Sequence, residues 1–229
     1  MSNKKEIIIK ATKLKKSFIT GDTEQTIFEN LDLNIYRGDF TVIMGSSGAG
    51  KSTLMYSLSG MDRPSSGEVV WNDKTITSLS DDRLAIFRRK NCGFVFQQIY
   101  LLDKMSLMDN VLTASALSGA SKKDSVKYAK ELFELVNIPE ITRKKFPSQV
   151  SGGEAQRAGI VRAVINKPEI LFADEPTGAL DQGSGKEVLR LFERLNQLGN
   201  TIVMITHDLS VAQNAHRIVR IVDGELFED

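Results

Sequence analysis

The chain has 229 residues, 41% of them hydrophobic and 26% charged, which predicts a soluble globular protein of one large domain or a core with a subdomain. Its 30 lysines and arginines nearly cancel 29 aspartates and glutamates, so there is no net field to draw nucleic acid. No apolar run approaches the roughly 20 residues of a membrane span, and Ile7-Ile8-Ile9 is too short for a signal-peptide core, so an intracellular protein that reaches a membrane only through a partner is expected. Cys92 stands alone; it excludes a disulfide framework and reads as a buried small hydrophobe.

In chain order, residues 7–35 alternate as strands do. Leu31, Leu33 and Ile35 fall on one face, and Thr20-Gly21-Asp22-Thr23-Glu24 forms a turn between two strands. Phe18, just before that turn, usually would be a core residue; the alternative is a platform for an adenine ring. The apolar run Phe40–Met44 leads into Gly45-Ser46-Ser47-Gly48-Ala49-Gly50-Lys51-Ser52-Thr53, and a helix-compatible segment leads out. Strand, glycine-rich turn and helix with G-x-x-x-x-G-K-[ST] spacing make a P-loop. Its backbone N–H groups would point at phosphates. Lys51 would reach the β- and γ-phosphates and the Ser52 hydroxyl would ligate Mg²⁺.

Gly67 to Trp71 and the turn Asn72-Asp73-Lys74 add to an antiparallel sheet beside the nucleotide core. Residues 81–90 read as a helix whose Arg88-Arg89-Lys90 end is solvated. Cys92–Phe96 is a short strand ending in Gln97-Gln98, and strand ends feed ligand sites in α/β sheets. Residues 99–147 are helical in period, with Arg143-Lys144-Lys145 as a second solvated run. A helix follows Ser151-Gly152-Gly153-Glu154 to about Asn166, then comes a buried strand to Asp174-Glu175. A helix over 184–198, a strand over 201–205, a strand over 218–222, a turn at Asp223-Gly224 and a short tail complete the chain. The predicted class is α/β: a P-loop NTPase core with a mostly parallel sheet, an antiparallel β subdomain and an inserted α-helical subdomain. The core is expected over 1–98 and 148–229, and the helical subdomain over 99–147.

Carboxylates, a histidine and a second glycine turn stand at the ends of these elements. Asp174 is the natural Mg²⁺ partner of a P-loop, and Glu175 could polarise a water for in-line attack on the γ-phosphate. His207, after the 201–205 strand, is placed for a γ-phosphate contact; His216 has no such place and is expected to be structural. Ser151-Gly152-Gly153 at a helix start would be a second anion site. One ATP could bridge the two sites if two copies met head to tail.

Together these stretches resemble an ATP-binding cassette (ABC) ATPase subunit over nearly the whole chain. Gly45–Thr53 is similar to the Walker A motif, Val150-Ser151-Gly152-Gly153-Glu154 to the family signature, and Ile170–Glu175 to Walker B with its catalytic glutamate. Gly178-Ala179-Leu180-Asp181 is similar to the D-loop, Gln97 to the Q-loop glutamine, His207 to the switch histidine and Phe18 to the base-stacking aromatic, in the family's order. A guanine-reading N-K-x-D motif is absent from the sequence, since Asn166-Lys167-Pro168-Glu169 fails it. The resemblance implies a head-to-tail homodimer with ATP sandwiched between copies. Ser151 and Gly153 of one copy would then contact the γ-phosphate held by Lys51 of the other, with Gln97 joining Ser52 and Asp174 at Mg²⁺.

It also implies a membrane permease as partner, docked near Gln98-Ile99-Tyr100-Leu101-Leu102 and the helical subdomain at the cytoplasmic face of the cell membrane. Burial of that segment within the domain is the equal alternative. The motor would serve export, extraction or resistance: Phe94-Val95-Phe96-Gln97, Ser151-Gly152-Gly153-Glu154 and the stretch from Ala173 to Asp181 together resemble the macrolide-efflux, lipoprotein-release and antimicrobial-peptide-resistance branch, and Phe172-Ala173-Asp174-Glu175 is particularly similar to bacitracin-type transporters. Phe18 in place of the usual tyrosine, and Ala155 and Gly159-Ile160-Val161 after the signature, depart from the pattern. The alternative is a soluble ABC ATPase acting on DNA or ribosomes; the short, heptad-free stretch between the two glycine motifs and the single cassette count against it.

Overall fold

The structure, a computed structural model, describes residues 5–228. Its contacts divide into two compact units, one running to Arg88 and resuming at Gly199, the other spanning Arg89–Leu198. The first begins with two long strands, β1 (Ile7–Thr20) and β2 (Thr23–Tyr36), paired antiparallel across the expected turn, with Thr20 opposite Thr23 and Ile7 opposite Tyr36. Leu31, Leu33 and Ile35 are all buried, as their alternation requires. β3 (Phe40–Gly45) leads through the glycine loop into α1 (Lys51–Ser59). β4 (Ser66–Trp71) pairs antiparallel with the other edge of β1, and the two-residue β5 (Lys74–Thr75) closes a sheet ordered β2-β1-β4-β5.

Trp71 fastens this sheet to the P-loop helix. Its indole is buried, stands edge-on to Phe87 with ring centroids 5.0 Å apart, and donates to Leu58 O at 2.8 Å. The last carbonyls of a helix have no partner within it, so Trp71 satisfies one of them at the end of α1. α2 (Asp81–Asn91) follows. At its basic end Arg89 and Lys90 are exposed, as expected, and Arg88 is half-buried; Arg88 donates to Gly60 O and Arg89 to Leu117 O, each at 2.6 Å. Both arginines take up carbonyls that a bare loop or helix end would leave to water.

In the second unit, β6 (Cys92–Phe96) is flanked by helices. α3 (Leu107–Leu117) is capped by Ser106, whose hydroxyl accepts from Asp109 N. α4 (Lys122–Leu135) joins it through the hydroxyls of Ser115 and Ser125, 2.6 Å apart and buried. α5 (Glu140–Arg143) is a single turn. α6 (Gly152–Val164), β7 (Ile170–Asp174) and α7 (Gln182–Gln197) complete the unit. β6 and β7 run parallel, from Cys92 opposite Ile170 to Phe96 opposite Asp174. The helices of 99–147 thus share this unit with both strands and both later helices.

Two expectations need correction here. Arg143 is only 6% exposed rather than solvated: its Nε donates to Ile138 O at 2.9 Å and its guanidinium lies 5.6 Å from the Phe133 ring centre. A guanidinium can be buried where a loop carbonyl and an aromatic face replace water. Cys92 is partly exposed, because the β6 alternation turns Gly93 and Val95 inward instead.

The chain returns to the first unit with β8 (Thr201–Ile205), the short α8 (Leu209–Asn214), β9 (Arg217–Val222) and β10 (Glu225–Glu228). β3 lies between β8 and β9, parallel to both, with Ile43 opposite Ile205 and Val219. The short tail after the Asp223-Gly224 turn forms β10, antiparallel to β9. His216 is structural, as expected: its Nδ1 accepts from Phe40 N at 3.1 Å and its own N–H donates to Phe40 O at 2.9 Å. Among the described residues no helix is long and apolar enough to cross a membrane.

Trp71→Phe keeps most of the apolar contact but strands Leu58 O in a dry site. It is expected to cost about 1–3 kcal/mol, read as a lowered urea midpoint at unchanged slope; an unchanged midpoint would show that the bond contributes nothing.

Candidate functional site

The glycine loop is shaped by close approaches. Gly45 has φ 155°, and a Cβ there would stand 2.5 Å from Ile221 O on β9. Gly50, the N-cap of α1, has φ 91°, and a Cβ there would meet Ile27 at 2.5 Å. No side chain caps α1 and its first turn carries no acid, whereas Ser106, Ser151 and Asp181 cap α3, α6 and α7. Its N-terminal donors and dipole are therefore left for an anion.

Lys51 adds a charge. It is only 6% exposed, and its Nζ donates to Gly45 O at 3.1 Å and Ser46 O at 2.8 Å. The ammonium curls over the loop, with Ser46, Ser47 and Gly48 exposed beside it, Ala49 and Gly50 half-buried, and Ser52 and Thr53 in the first turn of α1. This cradle fits a multiply charged phosphate chain. His207 follows β8 and is exposed. The parallel register of β3 and β8 sends it out at the same edge as the glycine loop. Phe18 is 45% exposed, with Lys16 Nζ 4.9 Å from its ring centre. It is not a core residue, because the hairpin end that carries it extends past the buried part of the sheet.

In the second unit, the register of Phe96 with Asp174 makes Gln97 and Glu175 leave adjacent strand ends. Glu175 has φ 46°, a conformation unusual for a residue with a Cβ. A turn follows, in which Gly178 N donates to Glu175 O at 3.0 Å. Gln97 lies over that turn, its Nε2 2.8 Å from where a Cβ on Gly178 would be. Gln156 was not singled out by sequence reasoning. It is buried on α6, and its Nε2 donates to Phe96 O at 3.0 Å and Pro176 O at 2.7 Å. It braces both strand ends. The signal was present: Gln156, Ile160 and Val164 share one helical stripe, so the period turns an amide inward.

The Ser151 turn is a capping box. Ser151 Oγ accepts from Glu154 N at 3.2 Å, while Glu154 Oε2 accepts from Ser151 N at 2.9 Å and from Ser151 Oγ at 3.0 Å. The Ser151 backbone N–H, its hydroxyl and the charges of Arg157 and Lys145 hold the Glu154 carboxyl below the usual carboxylate range, against the opposing effect of burial. Glu154 thus turns onto Ser151, and any share it has in anion binding passes through that hydroxyl. Gly153 is fixed by its neighbour, since a Cβ there would stand 2.8 Å from Ser184 Oγ, but Gly152 is exposed with only Leu180 nearby. Asp181 caps α7 by accepting from Gly183 N and Ser184 N, and takes the Ser184 hydroxyl at 2.6 Å. Those bonds, the Ser184 hydroxyl foremost, keep its carboxyl ionised below its ordinary range.

Beyond the end of β6, Tyr100 is 63% and Leu102 52% exposed, so the burial alternative for this segment does not hold. Tyr100 touches the Phe96 ring edge-on and Arg162 holds the carbonyls of Ile99 and Tyr100. Among the described residues no group of three histidine, cysteine or acidic side chains is placed to hold a metal.

The ABC transporter family model matches residues 28–178. The chain is 40% identical over 224 residues to the macrolide export ATP-binding/permease protein MacB of Vibrio parahaemolyticus, covering 98% of this chain and 34% of that protein. It therefore spans about a third of the length of the MacB relatives it matches. It is also 40% identical over 221 residues to the uncharacterized ABC transporter ATP-binding protein MJ1508 of Methanocaldococcus jannaschii, covering 96% of this chain and 98% of that one. Among solved structures, the ATP-binding cassette MJ0796, dimeric in a post-hydrolysis state bound to ADP and Pi, superposes with TM-score 0.88 at 36% identity over 96% of this chain and 97% of that one.

Gln156→Leu removes both braces and leaves the carbonyls of Phe96 and Pro176 short of a donor. A loss of at least about 2 kcal/mol is expected in chemical denaturation; wild-type stability would mean the amide is incidental.

Proposed function

The chain belongs to the ABC transporter family, and on that premise we propose that it binds and hydrolyses ATP as the motor subunit of a transporter complex. The observation that carries the proposal is the pair of helix N-termini made for anions in different ways. α1 is uncapped beneath the buried Lys51, and α6 opens at the exposed Ser151-Gly152. Lys51 and the Gly45–Thr53 backbone hold the triphosphate, and the exposed ring of Phe18 stacks on the adenine. Gly152 is exposed, with only the Leu180 side chain 3.5 Å from where a Cβ would be, which leaves the Ser151-Gly152-Gly153 turn accessible to the γ-phosphate bound by a second copy.

Ser52, Gln97 and Asp174 would hold Mg²⁺, which would supply charge neutralisation on the phosphates. Glu175 accepts the proton of the attacking water, and His207 donates to the γ-phosphate oxygens. Closure of two copies on ATP and reopening after hydrolysis is the mechanical output. The exposed Tyr100 and Leu102, on a segment that leaves the Gln97 strand end, are the surface offered to a membrane permease. On this reading the subunit works at the cytoplasmic face of the membrane. The MacB relatives, named for macrolide export, support export as the use of the motor.

Glu175→Gln keeps the shape of the strand end but removes the base. Turnover is expected to fall about 10²–10⁴-fold with ATP affinity retained, and the variant to elute as a dimer in ATP. Lys51→Ala should lose nucleotide binding in calorimetry. Unimpaired hydrolysis by the first variant, or wild-type affinity in the second, would remove these residues from their roles.

A further inference from the structure

A cleft of about 260 Å³ in the second unit lies between α6, α7 and the end of α4. Arg157 of α6 and Glu187, Arg190 and Arg194 of α7 line it, with Asn137 at the rim and Leu191 in the wall. On α7, Glu187, Arg190 and Arg194 recur at helical spacing and so share one stripe. Glu187 does not spend its charge along that stripe. Its Oε2 accepts instead from Arg157 Nη1, 2.8 Å away across the cleft. Among the described residues, the Arg190 and Arg194 side chains then have no ion pair and no hydrogen bond.

Arg157 is itself under-satisfied. Its side chain is 14% exposed, and its Nε is buried with no acceptor. A buried donor without a partner is costly. Three guanidinium groups against one carboxylate leave two positive charges in a cleft too small for a drug-sized ligand. We infer that this cleft binds a phosphate group, carried by a small soluble phosphate compound or by a lipid headgroup.

The chemistry favours phosphate over a simple halide or a single carboxylate. Guanidinium forks match oxyanions bidentately, and a dianion balances the two charges that Glu187 leaves. Arg190 and Arg194 are exposed and can swing onto the ligand. Arg157 would exchange its single carboxylate contact for a tetrahedral oxyanion that also supplies the acceptor its Nε lacks. Arg157 Nη1 also stands 3.4 Å from where a Cβ on Gly153 would be, so occupancy of the cleft would be felt at the Ser151 turn; this last step rests on the ATPase reading above, whereas binding does not.

Nitrogen-15 NMR of the arginine Nε–H groups tests the inference in the full chain carrying Lys51→Ala, so that the glycine loop does not compete for the probe. Inorganic phosphate is one probe; phosphatidylcholine vesicles with and without phosphatidic acid are the other, read by flotation. A saturating shift of the Arg157 Nε–H signal with phosphate assigns a soluble ligand. Flotation only with phosphatidic acid assigns a headgroup. In either case Arg190→Gln with Arg194→Gln should weaken binding about tenfold or more, and Glu187→Gln should tighten it by freeing Arg157. The inference is overturned if neither probe binds, or if binding survives undiminished in the double arginine variant. Because the readout is binding at Arg157 and not turnover, its failure would leave the ATPase assignment untouched.

Discussion

A buried ammonium at the head of an uncapped helix is the constraint around which the first unit is arranged. Taking Lys51 out of water costs several kcal/mol unless charge or dipoles replace the solvent. Here two carbonyls of the loop do so, and carbonyl dipoles are a weaker counter-charge than an anion. The loop can present those carbonyls only because Gly45 and Gly50 adopt positive φ against Ile221 and Ile27. β9 and β2 therefore hold the loop from two sides, and Trp71 holds the far end of the same helix. A site with an unsatisfied electrostatic demand has been built on rigid supports, so the free energy of anion binding need not be spent on ordering the loop.

The second unit answers the same backbone problem differently. α6 begins with four orphan N–H groups like any helix, but Ser151 and Glu154 satisfy two of them reciprocally. A carboxylate at this end complements the dipole, and its acidity is raised by the bonds it accepts. Such a terminus is stable without a ligand, yet it keeps a hydroxyl and an open glycine at its surface. One N-terminus is incomplete alone and the other complete but adaptable. That asymmetry suits a site whose two halves come from different copies, since only the half that binds first must carry the strong charge.

Much of this was legible from residue pattern, because the pattern and the physics coincide. Alternation at Leu31, Leu33 and Ile35 fixes a face; glycine spacing before Lys51 fixes a loop; a serine three residues before Glu154 fixes a cap. What was not legible depends on tertiary neighbours. Arg143 reads as one of three solvated cations, and only the placement of Ile138 O and Phe133 beside it makes it a core residue. Phe18 by its position alone reads as core, although its similarity to a base-stacking aromatic already implies the exposed ring that the hairpin end presents. The final strand was missed because four residues pair with β9 at the sheet edge, where neither face is deeply buried to leave a period.

Gln156 shows why such neighbours matter for chemistry as well as for folding. Glu175 sits in the left-handed region, which costs about 1–3 kcal/mol for a residue with a side chain. That conformation must be held by its surroundings. The turn bond from Gly178 N to Glu175 O holds it from one side. Gln156 holds Pro176 O from below and, through Phe96 O, ties the same point to the strand that ends in Gln97. Gln97 in turn lies against Gly178. The two amides and the turn that begins at Glu175 form one closed set of contacts, so a displacement of Gln97 is passed to that turn or to the bonds that Gln156 makes. A displacement of the exposed Tyr100 segment, two residues beyond Gln98, thus has a short mechanical route to the turn that carries Glu175.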